Sequence, residues 1–177
     1  MIEFSLWLDN MCYNTHSSAV THDITSLQQE IQQGKPFVSA PQEATLSIGR
    51  TWALLEHALA DLLKAHDLTP TQYNVLRILR GAGEDGLCRG EVIDRMITRV
   101  PDATRLLDRL ERADLISRHR GGSDRRFVST QITARGRTIL AALDDPVDTL
   151  HRTHFAPLAD DEVRTLIDLL ARIRSAL

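Results

Sequence analysis

The residues with the clearest chemical potential in this chain are arginines, which are concentrated between residues 86 and 137. That segment holds twelve arginines and no lysine. A guanidinium group presents a planar fork of N–H donors that fits phosphate oxygens and the edge of guanine. Seven acidic residues share the segment, which leaves it at +5, whereas the whole 177-residue chain carries −3. A basic middle between acidic flanks predicts that this segment alone approaches a polyanion.

Two of these arginines lie in the connection of a predicted β-hairpin. The runs LISRHR and FVSTQI are rich in residue types that favour strands, and GGSDRR connects them. Gly121 and Gly122 give this connection the backbone freedom of a turn. Arg125 and Arg126 follow them, so the hairpin carries positive charge at its tip.

Two short helical patterns precede the hairpin and predict a helix-turn-helix, with the second helix at about residues 100–113. TRVP between them allows only a tight turn, because proline restricts the residue before it. Arg105, Arg109 and Arg112 face away from the apolar side of the second helix. The apolar residues that mark the two helices recur at helical spacing: Val92, Ile93, Met96 and Ile97, then Ala103, Leu106, Leu107, Leu110 and Ala113.

A helix-turn-helix followed by an arginine-tipped hairpin is the pattern of a winged helix. In such a motif the second helix can enter a major groove of DNA. The hairpin can reach the neighbouring minor groove or the backbone, where negative potential attracts arginine. The sequence therefore predicts a mainly α fold with a small β-hairpin wing, and it favours nucleic acid as the partner.

A helix with clear start and stop signals precedes the motif. Thr69 is its predicted N-cap, Pro70 occupies its first turn, and Gln72 completes a capping box. Gly81 and Gly83 end the pattern. Before it, residues 41–66 carry apolar residues at helical spacing and predict a long first helix.

Two more helices are predicted after the wing. Thr133 caps the first of them, and Pro146 should kink or split it because proline deletes one hydrogen bond of the helix. The last helix follows the acidic run at residues 160–162, which suits a helix start. These helices hold more leucine and isoleucine than a lone winged helix needs to bury, which favours pairing of subunits.

The predicted organisation has four parts. An amino-terminal arm covers residues 1–40, and a first dimerisation helix covers 41–66. A winged helix-turn-helix lobe covers 67–132, and carboxy-terminal dimerisation helices cover 133–177.

The remaining composition argues against several other classes of protein. Cys12 and Cys88 are too few for a disulfide framework, and no secretion signal or transmembrane run is present, so we expect a cytoplasmic protein without a membrane partner. Only His151 and His154 could share a helical face, and no third ligand lies nearby in sequence, so neither a metal nor a cofactor is expected. No motif of a catalytic nucleophile or phosphate-binding loop is found, so the chain is not expected to be an enzyme.

From about residue 45 to residue 177 the chain resembles the MarR family of bacterial transcriptional regulators. The resemblance rests on LTPTQYNVLRIL, on ITRVPDATRLLDRLERADLISR, on SDRRFVSTQIT and on ARGRTIL, in this order and spacing. It implies a homodimer, each subunit of which places one helix in successive major grooves of a pseudo-palindromic operator. It also implies regulation of transcription, with repression as the expected direction.

The resemblance assigns DNA contacts by position. The recognition-helix contacts fall on Arg99, Pro101, Asp102, Thr104 and Arg105, to which the outward face of the predicted helix adds Arg109. The wing-tip arginine falls on Arg125 or Arg126, and an internal ion pair would join Glu111 to Arg126, which makes Arg125 the better minor-groove residue. The sequence departs from the family at Asp114, where glycine commonly ends the recognition helix in a left-handed conformation.

The resemblance also implies a small aromatic or anionic effector that releases DNA. It would bind between the dimer helices and the DNA-binding lobe, and Trp52, His57, Tyr73 and Arg77 are the candidates for lining that site, with His151 and His154 nearby. Two other functions stay open from the sequence. One is a winged helix that binds an acidic protein partner, and the other is a regulator that senses oxidants through Cys88.

Overall fold

The computed structural model describes residues 26–120 and 128–177, and these divide into two compact units between Ile48 and Gly49. The described part of the predicted arm contains one short helix, α1 (Leu27–Glu30), which Ser26 caps. Residues 1–25 of the arm lie outside the described residues. The remaining elements follow in the order α2 (Ala40–Leu63), a 3₁₀ turn (Lys64–His66), α3 (Pro70–Ala82), α4 (Arg89–Asp94), α5 (Ala103–Arg112), β1 (Ile116–Arg120), β2 (Val128–Ile132), α6 (Ala134–Phe155) and α7 (Asp160–Arg174).

Helix α3 begins where the sequence predicts it. The backbone N–H of Gln72 donates to Thr69 Oγ1 at 3.2 Å, and the backbone N–H of Thr69 donates to Gln72 Oε1 at 2.9 Å. These two bonds satisfy N–H groups that a helix start otherwise leaves without partners. The inward face of α3 is formed by Tyr73, Val75, Leu76 and Leu79, all of which are buried.

The connection between α4 and α5 differs from the tight turn predicted over TRVP. Helix α4 ends at Asp94, and α5 begins at Ala103, so the connection runs over residues 95–102. Met96 is buried in the core, and the backbone N–H of Ile97 donates to Asn74 Oδ1 on α3 at 3.1 Å. Because this N–H is bound to α3, it is not available for the hydrogen bond that would continue α4. The side chain of Ile97 is left 71% exposed.

Two residues after the end of α5, Asp114 adopts the left-handed conformation that glycine usually supplies. Asp114 has φ +57°, the backbone N–H of Asp114 donates to the Glu111 carbonyl at 2.9 Å, and the N–H of Leu115 donates to the Leu110 carbonyl at 3.0 Å. These are the two bonds of a Schellman motif. The aspartate therefore keeps the geometry of the family's glycine at a conformational cost.

We expect Asp114→Gly to raise the free energy of unfolding by about 1 kcal/mol, because glycine removes both the left-handed strain and a negative charge at a helix carboxyl end. Urea unfolding of the two proteins at neutral pH measures the change. Asp114→Asn removes the charge but keeps a side chain, so its value should fall between the two. A less stable glycine variant would contradict this account.

The wing is an antiparallel pair with an added third segment. Strands β1 and β2 pair from Ile116 with Ile132 to Arg120 with Val128. Leu87 joins the edge of β2, because its N–H and carbonyl bond to Thr130 at 3.0 and 2.8 Å. Gly86 precedes it with φ +67°, and a Cβ there would lie 2.5 Å from Ser129 Oγ, so only glycine fits this approach. The wing is thus tied to the segment that leads into α4.

Helix α6 begins at Thr133, whose Oγ1 accepts from the N–H of Gly136 at 3.1 Å and donates to the Asp114 carbonyl at 2.7 Å. The sequence predicts that Pro146 kinks or splits this helix. The helix continues through Pro146 to Phe155, so it is not split there, and the kink stays a prediction. Leu143 and Val147 on either side of the proline are both buried, and this packing holds the two halves in one helix. A two-bond ion pair between Arg80 and Asp144, with both N–O distances 2.8 Å, joins α3 to α6.

The core of the second unit lies among α3, α5, α6 and the base of the hairpin. Its largest fully buried apolar side chains are Leu63, Val75, Leu76, Leu79, Val92, Leu110, Ile116, Leu140 and Leu143. Helix α7 differs from these elements, since it contributes no buried residue. Within the described residues, no helix is both long and apolar enough to cross a membrane.

Candidate nucleic-acid interface

Helix α5 separates its apolar and cationic residues onto opposite sides. Ala103, Leu107 and Leu110 are buried against the core. The side chains of Thr104, Arg105, Arg109 and Arg112 are exposed. The packing of one face thus fixes the direction of the other, and a row of guanidinium groups projects from a helix that is anchored along its length.

The start of α5 is fixed by Asp102. One carboxylate oxygen of Asp102 accepts from the backbone N–H of Arg105 at 3.0 Å, and the other lies 3.0 Å from Arg105 Nε. The same aspartate therefore caps the helix and pairs with an arginine. Both side chains remain at least half exposed, at 51% for Asp102 and 79% for Arg105, so a ligand can still reach them.

A cluster of three charged residues holds β1 of the wing against α5. Arg118 Nη2 donates to Asp108 Oδ1 and lies 3.2 Å from Glu111 Oε2. The hydrogen bond from Arg118 lowers the pKa of the Asp108 carboxyl below its usual value. Two carboxylates on consecutive turns of α5 thus bind one strand residue, and this fixes the base of the wing relative to the helix.

The predicted ion pair between Glu111 and Arg126 involves a residue outside the described part of the chain, so it stays a prediction. Arg125, the other predicted wing-tip contact, also lies outside it. Glu111 itself is bound by Arg118. Arg99 and Pro101 lie in the connection before α5, and both are exposed, which keeps them available as contacts.

A cleft of about 480 Å³ lies between α4, α5 and the wing. Arg89, at the start of α4, donates from Nη1 to Thr104 Oγ1 at 3.1 Å. Arg118 borders the same cleft from β1. The cleft thus brings together side chains from all three parts of the winged helix.

The two cavities that Trp52 borders contain none of the other three predicted effector residues. Trp52 lines a small cavity of about 40 Å³ with residues of α3 and of the connection before α5. It also borders a cavity of about 310 Å³ between α2 and α6, together with His151 and His154. Tyr73 belongs to the core, and burial raises the pKa of its hydroxyl.

The other two effector candidates are placed differently. His57 is 75% exposed and lies 3.5 Å from Asp61. Arg77 lies over the ring of Tyr73, with 5.8 Å between the guanidinium carbon and the ring centre. Trp52 is therefore the member of the predicted set that borders the cavities described above.

Cys88 caps α4 through its backbone. Its N–H donates to Glu91 Oε2 at 2.7 Å, and this bond is the main cause of a lowered pKa of the Glu91 carboxyl. Cys88 also lines the cleft beside Arg89. Oxidant sensing through this residue stays a hypothesis, and the other cysteine, Cys12, lies outside the described residues.

Sequence reasoning missed the roles of Arg118, Asp108 and Arg89. Asp108 and Glu111 are three residues apart on a helix, which places both carboxylates on one side, and this spacing was a usable signal. The position of Arg118 beside these two carboxylates depends on how β1 packs along α5, which the local sequence does not indicate. The contact of Arg89 with Thr104 joins residues fifteen apart and has no local signature.

Comparisons with known proteins agree on one family. The sequence model of the MarR family matches residues 66–126. The HTH-type transcriptional regulator TtmR of Methylorubrum extorquens (strain PA1) is 36% identical over 120 residues, which make up 68% of this chain and 60% of that protein. The match thus spans less than two thirds of that relative.

Some solved structures match this chain over nearly their own whole length. A MarR transcription factor from Planctomyces limnophilus is 34% identical, with a TM-score of 0.59, over 77% of this chain and 98% of that one. The S. aureus MepR–DNA complex has a TM-score of 0.69 at 23% identity, over 75% of this chain and 97% of that one, which is a likeness of fold. The winged-helix architecture predicted from the sequence is confirmed.

Proposed function

The chain belongs to the MarR family of transcriptional regulators, and we propose that it binds double-stranded DNA as a homodimer and represses transcription. Helix α5 is the recognition helix, which lies in the major groove, and the wing contacts the adjacent minor groove or the phosphate backbone. The operator is pseudo-palindromic, because two identical subunits present the same helix twice.

The observation that carries this proposal is the outward row of α5. Thr104, Arg109 and Arg112 are exposed along a helix whose other face is buried in the core. A rigid helix that presents guanidinium groups without burying them fits the width of a major groove. The ion pairs of Arg118 support the same function, because they fix the wing beside that helix.

The homodimer is supported by the apolar surface of α7. Leu166, Ile167, Leu169 and Ile173 are between 36% and 56% exposed, and α7 has no buried residue. An amphipathic helix that leaves its apolar stripe in solvent is stabilised when another surface covers it. A second copy of the chain is the occupant that the family membership favours.

For the effector we propose a small aromatic or anionic molecule that binds beside Trp52. The cavity of about 310 Å³ between α2 and α6 has room for such a molecule, and Trp52 borders it. On its other side Trp52 lines the small cavity that includes Asn74 and Ile97, whose hydrogen bond holds the connection before α5. A ligand that prefers an altered arrangement there would shift the two recognition helices away from the spacing of the half-sites.

We expect the wild-type protein to bind a random-sequence duplex with an affinity that falls steeply with salt. Fluorescence anisotropy at two or more KCl concentrations measures it, and a slope of log Kd against log [KCl] of about 0.9 per neutralised phosphate is the signature of counterion release. A protein that binds only acidic polypeptides would show no duplex binding at low salt. That result would contradict DNA binding and favour the protein-binding alternative.

A further inference from the structure

Arg89 is an exposed cation that the fold brings to the recognition helix. It stands at the first position of α4, and its guanidinium donates to Thr104 Oγ1 in the first turn of α5 at 3.1 Å. Thr104 is itself exposed. One donor of the guanidinium is thus used to hold the group in place, and the part of the chain that the structure describes supplies no acceptor for its other N–H donors, which can bind an oxygen ligand.

The two arginines that border the cleft differ in charge compensation. Arg118 pairs with both Asp108 and Glu111, so its positive charge is more than neutralised. Among the residues that the structure describes, Arg89 has no carboxylate partner, and its described contact is with a neutral hydroxyl. The cleft therefore offers an anion the guanidinium of Arg89, while the guanidinium of Arg118 is committed to the wing.

We propose that Arg89 binds a phosphate of the DNA backbone and that Thr104 is its positioning residue. The inference rests on the proposed function and adds a contact that the family resemblance does not assign. In a helix-turn-helix the first helix crosses the backbone while the amino-terminal part of the second reads bases. Arg89 belongs to the first helix and is joined to that part of the second, so a phosphate at the edge of the major groove lies within reach.

The test is salt-dependent binding of a random-sequence duplex by the full chain. Arg89→Gln should make the slope of log Kd against log [KCl] shallower by about 0.9 per subunit, because each lost phosphate contact retains its counterions. Arg172→Gln makes the same change of charge on α7, at an exposed position away from the lobe, and should leave the slope unchanged. Equal slopes for wild type and Arg89→Gln would overturn the inference.

The positioning role of Thr104 has its own readout. Thr104→Val removes the hydroxyl at nearly constant volume, and its loss of affinity should be much smaller in the Arg89→Gln background than in the wild type. Thr104→Ser keeps the hydroxyl and should lose less than Thr104→Val. Equal losses in both backgrounds would overturn the positioning role. Failure of the proposed function is distinguishable, because the wild type would then show no salt-dependent duplex binding at all.

Discussion

Arg109→Ala should weaken binding to a preferred DNA duplex by about 1–3 kcal/mol per subunit, or roughly five- to 150-fold. Arg109 is exposed in the middle of α5, and within the described residues it makes no ion pair. Arg105, by contrast, is shared with Asp102. Within the described residues, Arg109 and Arg112 can therefore each give both donors of the fork to a guanine edge, and Arg109 lies nearer the amino-terminal part of the helix, which reads bases.

The measurement needs a duplex whose sequence the protein prefers, because contacts to bases then contribute to the affinity. Such a duplex is selected from a random pool with the wild-type protein, and its affinity for each variant is compared with that of a scrambled duplex. Arg109→Ala should lose more on the selected duplex than on the scrambled one. Arg172→Ala, the same substitution on α7, should change neither affinity. An unchanged preference for the selected duplex would remove Arg109 from base recognition.

The elements of this fold were predictable where their signals are local. Thr69 and Gln72 are three residues apart, and their capping bonds form as the sequence indicates. The alternation of the two strands and the stripe of α5 likewise depend on near neighbours. The left-handed conformation of Asp114 was instead implied by the resemblance, because the family commonly has glycine at this position.

The elements that the sequence could not give depend on contacts between distant residues. The connection between α4 and α5 extends to residues 95–102 because Asn74, on another helix, takes the N–H of Ile97. The continuity of α6 through Pro146 depends on core packing against α3, which outweighs one missing hydrogen bond. Neither the length of this connection nor the continuity of α6 can be predicted from helical periodicity.

The candidate interface likewise has features that the sequence predicts and features that depend on distant contacts. The outward direction of Arg105, Arg109 and Arg112 could be read from the apolar stripe opposite them. The contact of Arg89 with Thr104 depends on how α4 packs on α5. The contact of Arg118 with Asp108 depends on the register of the wing. A one-residue change of that register would turn Arg118 to the other face of the sheet.

Ile167→Asp should convert the proposed homodimer into monomers at micromolar concentration. Ile167 is 56% exposed on the stripe of α7, and in a two-fold interface it is buried twice. The lost apolar contact alone would cost about 2–3 kcal/mol per dimer, because just over half of each side chain is left to bury, and two desolvated carboxylates would add to that loss. Sedimentation equilibrium of the two proteins measures the change.

Arg172→Asp is the matched control for this variant, because it adds a carboxylate to the same helix on the side opposite Ile167. It should remain dimeric. A dimeric Ile167→Asp protein would mean that the subunits pair elsewhere. A folded, monomeric Ile167→Asp protein keeps its outward arginines, so it should still bind random duplex. It should lose most of its affinity for an operator with two half-sites, because that affinity depends on both recognition helices of a dimer binding one DNA molecule.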